Sequence, residues 1–215
     1  SLSPSRNKLP DPTNMAHAVD MLWGASRILM ISGRGARGSG HSLEKLLDAT
    51  GGLYLDTQES RGLVPNEHAS VVGAVRGIAM READLVVTIG RKLDYQLGYG
   101  SSAVFPKARF LRIADNVDEL RDGRRGDGEL LGSADRICEA LIEEAGNRQP
   151  NVDRQWTEGL RSKHSERFVS LQKKMSKAED GIDGLMHPHR LLAAIRDLLD
   201  DDSIVVADGG DILSF

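Results

Sequence analysis

The stretch "RILMISGRGARGSGHSLEKLL", from Arg27 to Leu47, constrains this chain more than any other. Six residues with almost no polar content are followed by three spaced glycines, and these by a helix-forming run. A continuous apolar strand suits a parallel sheet covered on both faces, because a half-exposed strand alternates instead. The same grammar recurs downstream. "LYLD" (Leu53 to Asp56), "DLVVTI" (Asp84 to Ile89) and "FLRIA" (Phe110 to Ala114) are apolar runs closed by Asp or Gly, and Asp127 to Leu131 adds a short fifth. Between them lie helical patterns: Asn14 to Ala25 with Thr13 as its cap, "SLEKLLDA" ended by Gly51 and Gly52, Val72 to Glu82, and Ser133 or Ala134 to Ala145. Strand and helix in alternation predict an α/β fold with an open, mostly parallel sheet.

The alternation occupies residues 14–146, after a proline-broken loop at 1–13. "GNRQPNVDRQ" then reads as linker, and the charged Trp156 to Lys174 segment as a surface helix within a connecting region, 147–186. From residue 187 to 215 a new helix, His187 to Leu199, and a new strand, Ser203 to Ala207, begin, ending in the turn Asp208-Gly209-Gly210. This reads as the front edge of a second, truncated domain.

Composition narrows the function classes. Lys+Arg 28 against Asp+Glu 32 leaves a net charge of -4, without the basic excess expected of a nucleic-acid binder. No apolar run approaches the roughly 18 residues that span a bilayer, and the polar start "SLSPSRNKLPDPTN" has no signal-peptide pattern. One cysteine, Cys138, on the apolar side of a helix, fits inert core and a reduced cytoplasmic setting.

Gly33, Gly35 and Gly38 fit G-x-G-x-x-G between a strand and a helix. There, missing Cβ atoms let backbone N–H groups approach a pyrophosphate, aided by the helix dipole. The other reading is a tight turn that binds nothing. Asp56 stands where a ribose-binding acid belongs. Gly90 and Asp115 fall at carboxyl ends of strands, where open α/β sheets place ligands, although Asp115 is equally a turn or cap residue. Several other residues have ordinary readings. Glu59 reads as surface, His187 and His189 around Pro188 as a helix start, and Arg121, Arg124 and Arg125 in "RDGRRGDGE" as a solvated loop rather than a phosphate clamp. Trp23 reads as core and Trp156 as an interdomain contact. Tyr95 and Tyr99 either line a cofactor or neighbouring domain, or pack in the core.

The stretches "AVDMLWGASRILMISGRGARGSG", "DTQESRGLVPNEHASVVGAVRGIAMREADLVVTIGRKLDYQLGYG" and "FPKARFLRIADNVDEL" resemble the central domain of thiamine-diphosphate-dependent enzymes. The nearest group is the acetolactate synthase large-subunit-like one, which includes 2-hydroxyacyl-CoA lyases and oxalyl-CoA decarboxylases. "HPHRLLAAIRDLLDDDSIVVADGGD" is similar to the start of their diphosphate-binding domain. The resemblance implies a Rossmann-like domain of about six parallel strands that binds FAD, ADP or CoA through the adenosine diphosphate part. Gly33, Arg34 and Gly35, Thr57, Gln58, Gly90, Asp94, Asp115 and Asn116 would surround it. It implies thiamine diphosphate and magnesium in the whole enzyme, with Asp208, Gly209 and Gly210 near the cofactor. It implies further N- and C-terminal domains as partners, a homo-oligomer, and a small-molecule substrate. This piece alone is then inactive. Two departures separate the chain from flavin-binding members: "SVVGAVRG" replaces a Met-Leu-Gly-Met-His-Gly stretch, and Lys92 replaces the Arg of Gly-x-Arg-Leu-Asp. An NAD-dependent oxidoreductase, or a binding or assembly module with an empty pocket, are the other readings.

Overall fold

The computed structural model describes residues 10–181, 184–200 and 202–206. Its centre is a five-stranded, wholly parallel sheet in the order β2-β1-β3-β4-β5. The strands are β1 (Ile28–Ser32), β2 (Leu53–Leu55), β3 (Leu85–Ile89), β4 (Arg109–Ala114) and β5 (Gly128–Leu131). Every residue of β1 and β3 is buried, as their unbroken apolar runs predict. The side chains still alternate, but between two apolar cores. Met30, Val87 and Leu111 enter one, shared with helices α1 (Pro12–Gly24), α2 (Gly40–Thr50) and α5 (Ala134–Ala145). Leu29, Val86 and Phe110 enter the other, shared with α3 (Arg76–Glu82) and with Trp156 and Leu160 of α6 (Arg154–Ser176). Burying each such side chain contributes about 1.5–3 kcal/mol, which makes the two-sided sheet the main source of stability.

Instead of a sixth strand there is a single parallel bridge, Tyr54 to Val71, beside β2. The segment expected as a strand from Ser203 does not form one: residues 203–206 have no regular secondary structure, and Ile204 is 91% exposed. A strand needs a neighbour for its backbone groups, and among the described residues none lies alongside. Ala207 and the turn Asp208-Gly209-Gly210 fall outside the described residues.

Other boundaries moved for local reasons. Asp11, not Thr13, caps α1: its Oδ1 accepts from the Thr13 N–H at 2.8 Å, and Pro12 occupies the first helical position. The helix expected over Val72 to Glu82 is a 3₁₀ turn at Gly73–Val75 leading into α3. A short helix α4 (Val117–Arg121), absent from the sequence reading, follows β4.

The chain divides into one compact unit ending at His164 and a second beginning at Ser165. The first therefore extends past residue 146. Trp156 is 7% exposed, packs in the core of that unit, and donates its indole N–H to Glu82 at 3.0 Å. In the second unit, helix α7 (Pro188–Leu198) has no buried residue. His187 caps it by accepting the His189 N–H at its Nδ1, with Pro188 first in the helix, the structural role its sequence indicated.

Candidate functional site

Because all five strands are parallel, their carboxyl ends share one edge of the sheet. The chain leaves β1 for β2 on one side and returns to β3 on the other, so the topology switches between β1 and β3. A crevice forms at such a point. Here it is flanked by the loops after those two strands.

The glycines also serve a contact that their spacing alone did not predict. Gly33 donates to the Ile89 carbonyl at 3.0 Å, and Gly35 to the Gly90 carbonyl at 2.9 Å. The two loops are thus bonded to each other. A Cβ on Gly35 would stand 2.8 Å from the Gly90 Cα. A Cβ on Gly90, which has φ +54, would stand 2.3 Å from the Gly35 carbonyl carbon. Gly35 and Gly90 are therefore required by loop-on-loop contact. Helix α2 starts only at Gly40, behind a 3₁₀ turn at Arg34–Ala36.

This zipped pair of loops separates two open lobes. The larger, about 590 Å³, is lined by Arg34, Gly35, Arg37, Gly38, Ser39, Asp115 and Glu119, and by Ser133 to Arg136 at the start of α5. The amino ends of α2 and α5 and three arginines meet there. Helix amino ends carry unsatisfied N–H groups and partial positive charge, so this lobe suits a phosphate-bearing ligand. The smaller lobe, about 370 Å³, is lined by Gly33, Arg34, Thr57, Glu59, Gly90 to Lys92, Asp94 and Glu119.

A buried hydroxyl cluster holds the floor of the smaller lobe. The Tyr54 and Ser32 hydroxyls lie 2.5 Å apart, Ser32 donates to the Ser60 Oγ at 2.9 Å, and Thr57 donates to the Ser32 carbonyl at 2.6 Å. Burial pushes the Tyr54 phenol up to about 12, with the charge of Asp56 adding to it and the serine hydrogen bonds opposing. The cluster keeps Thr57 at the lobe. On the opposite wall Arg91 grips Asp94 bidentately, at 2.8 and 3.0 Å. Burial alone would raise the Asp94 carboxyl, but the Arg91 hydrogen bond and charge, with backbone N–H groups of Gln96 and Leu97, hold it below the ordinary range.

Of the residues singled out in the sequence, Gly33, Arg34, Gly35, Gly38, Thr57, Gly90, Asp94 and Asp115 line one lobe or the other. Asp94 does so with both oxygens already engaged. Asn116 lines neither: its side chain caps α4 by accepting the Asp118 N–H at 2.8 Å. Gln58 belongs to a 3₁₀ turn at Gln58–Ser60. Asp56 also lies outside both lobes. Glu59 is exposed, as expected, and stands 3.7 Å from the Arg34 Nε. Tyr95 and Tyr99 are 73% and 60% exposed, which removes the core-packing reading for them. Arg125 pairs with Glu129 at 2.7 Å and Arg124 lies over the Phe110 ring, so these arginines are engaged within the fold. Trp23 and Cys138 are buried, and burial pushes the thiol up to about 12, leaving it unreactive. Among the described residues no group of three or more His, Cys, Asp or Glu side chains is placed to hold a metal.

Several residues of the site escaped the sequence reading, among them Arg37, Ser39, Asp135, Arg136, Glu119 and, behind them, Arg112. Only Arg112 carried a signal, as a charged residue in the middle of an apolar strand. It is 1% exposed and donates to the carbonyls of Glu119, Leu120, Asp122 and Arg124. It thereby wraps the α4 segment around its guanidinium and fixes Glu119 at the junction of the lobes.

Comparison with known proteins bears on what this edge serves. Residues 15–141 match the family described as thiamine pyrophosphate enzyme, central domain. The chain is similar to 2-hydroxyacyl-CoA lyase 1 of Mus musculus, 28% identical over 95% of this chain and 36% of that protein. It is 25% identical to 2-hydroxyacyl-CoA lyase 2 of Caenorhabditis elegans over 98% of this chain and 33% of that protein. It is 31% identical to acetolactate synthase large subunit IlvG of Mycobacterium tuberculosis over 73% of this chain and 27% of that protein. The chain spans about a third of the length of the curated relatives it matches.

Proposed function

The chain belongs to the thiamine pyrophosphate enzyme family, whose central domain it carries, and on that premise we propose that it is the nucleotide-binding domain of a 2-hydroxyacyl-CoA lyase-like enzyme. Its own task is to hold the adenosine diphosphate part of FAD, ADP or CoA. The observation that carries this reading is the larger lobe, where two helix amino ends and the guanidinium-bearing Arg34, Arg37 and Arg136 face one cavity at the carboxyl edge of the sheet. The diphosphate lies against these groups. The interlocked Gly35 and Gly90 loops give the cavity a rigid wall, so little ordering accompanies binding.

Thiamine diphosphate, with magnesium, supplies in such an enzyme the electron sink that stabilises a carbanion. In this reading its site lies in other domains of the same protein, the substrate is a small acyl-CoA or keto acid, and the working form is a cytoplasmic homo-oligomer. The lyase reading is favoured over the acetolactate synthase one because similarity to the lyases runs across 81% to 98% of the chain, against 73% for the synthase.

A thermal-shift titration with ADP, FAD, CoA, NAD and thiamine diphosphate plus magnesium tests the binding role, since a ligand of the folded state raises the melting temperature by mass action. A shift with an adenine nucleotide and none with thiamine diphosphate is expected. A shift with NAD alone favours a dehydrogenase instead, and no shift with any nucleotide contradicts the proposal. For the longer protein, cleavage of a 2-hydroxyacyl-CoA is expected, and formation of acetolactate from pyruvate without that cleavage reverses the choice of subtype.

A further inference from the structure

Arg34 lines both lobes, and its guanidinium forms one ion pair among the described residues. The partner is Glu59, whose Oε2 stands 3.7 Å from the Arg34 Nε at the smaller lobe. The same turn reaches a second arginine: Arg37 donates from its Nε to the Glu59 carbonyl at 3.4 Å. Two of the three arginines that line the larger lobe are therefore drawn toward the turn at Gln58–Ser60.

The backbones on both sides of this contact are fixed. Thr57 donates to the Ser32 carbonyl at 2.6 Å and, through its N–H, to the Ser60 Oγ at 2.9 Å, which anchors the turn to the end of β1. Arg34 lies between Gly33 and Gly35, whose N–H groups are bonded to the Ile89 and Gly90 carbonyls. The Arg34 side chain, by contrast, is 76% exposed, and that of Glu59 is 45% exposed. What can move is the guanidinium, from Glu59 in the smaller lobe toward the larger one. Carboxylate and phosphate engage the same N–H fork, so Glu59 and a ligand phosphate are rivals for Arg34. We infer that Glu59 is a resident competitor for Arg34, an internal carboxylate that an incoming diphosphate displaces, and that it thereby sets how tightly the site holds an anion. This rests on the nucleotide-binding reading above and adds to it the residue that opposes binding. An exposed pair is weak, so Glu59 tunes affinity and does not block the site.

The test is isothermal titration of the full chain with ADP, in the unaltered protein, Glu59→Gln, Arg34→Gln and the double variant. Both side chains are exposed, so the substitutions leave the fold intact. Glu59→Gln is expected to bind ADP about threefold tighter, the scale of one exposed ion pair removed as a competitor. Arg34→Gln binds more weakly, and in that background Glu59→Gln changes nothing, because the carboxylate acts through Arg34. Unchanged or weaker binding in Glu59→Gln overturns the inference and leaves the nucleotide reading standing. So does the same gain with and without Arg34, which would make Glu59 a general repulsive charge. Absence of ADP binding in every form removes both readings. Where Arg34→Gln binds too weakly to titrate, the single Glu59→Gln comparison decides.

Discussion

Two apolar runs of similar composition, "ILMIS" in β1 and "SIVV" at residues 203–206, have opposite fates. The first is fully buried, pairs with β2 and β3, and packs between two helical layers. The second forms no strand, and Ile204 and Val206 are 91% and 90% exposed. Their local propensities are alike, so the difference lies in partners. A strand is stable when both its backbone edges and its two faces are occupied, and only the first run has those neighbours among the described residues.

The comparison breaks first at its energetics. Phe110→Ala, in the two-sided core, is expected to cost about 3–5 kcal/mol in urea unfolding. Ile204→Ala should stay within about 0.5 kcal/mol. A comparable cost for both would mean that the terminal run is packed after all. Next in size is the loop contact. Gly90→Ala places a Cβ against Gly35 at a left-handed φ and should cost about 3 kcal/mol, strain and overpacking combined. Gly38→Ala, left-handed but in open space, should cost only about 1 kcal/mol.

Alkaline pH sharpens the contrast between buried and exposed phenols. The Tyr54 pKa is raised from 10.0 to about 12, so its contribution is fully present below pH 10 and is lost as pH rises through about 12. The limiting loss is about 2–3 kcal/mol. Tyr54→Phe should flatten that part of the stability curve. Acid acts more weakly, through Asp94. Its carboxyl is held below the ordinary range, so its contribution is present at neutral pH and is lost as pH falls below about 4. Asp94→Asn should lose at most about 1 kcal/mol at neutral pH and become less acid-sensitive. An unchanged acid limb would mean that the Arg91 pair adds nothing.

The two-sided strands were legible because their apolar runs have no other stable placement. Position was harder wherever a choice depended on distant residues. Pro12 and Asp11 together moved the start of α1, although Thr13 is an acceptable cap by itself. The glycine spacing foretold a strand-to-helix turn. It did not foretell that Gly90, 55 residues after Gly35 in the sequence, would fill the space the missing Cβ atoms leave. Asp115 was readable from its place at a strand end. Arg37, Arg136 and Glu119 were not, because single charged residues on loops and short helices carry no period, and only the parallel sheet brings their segments to one edge.

Hydrogen exchange of the chain with and without saturating ADP tests the site most directly. Slower exchange is predicted for amides in the loop from Gly33 to Ser39 and at the start of α5, with no change from Ser165 onward. Binding that leaves those amides untouched, or protects another region in their place, would contradict the assignment of the nucleotide to the carboxyl edge of the sheet.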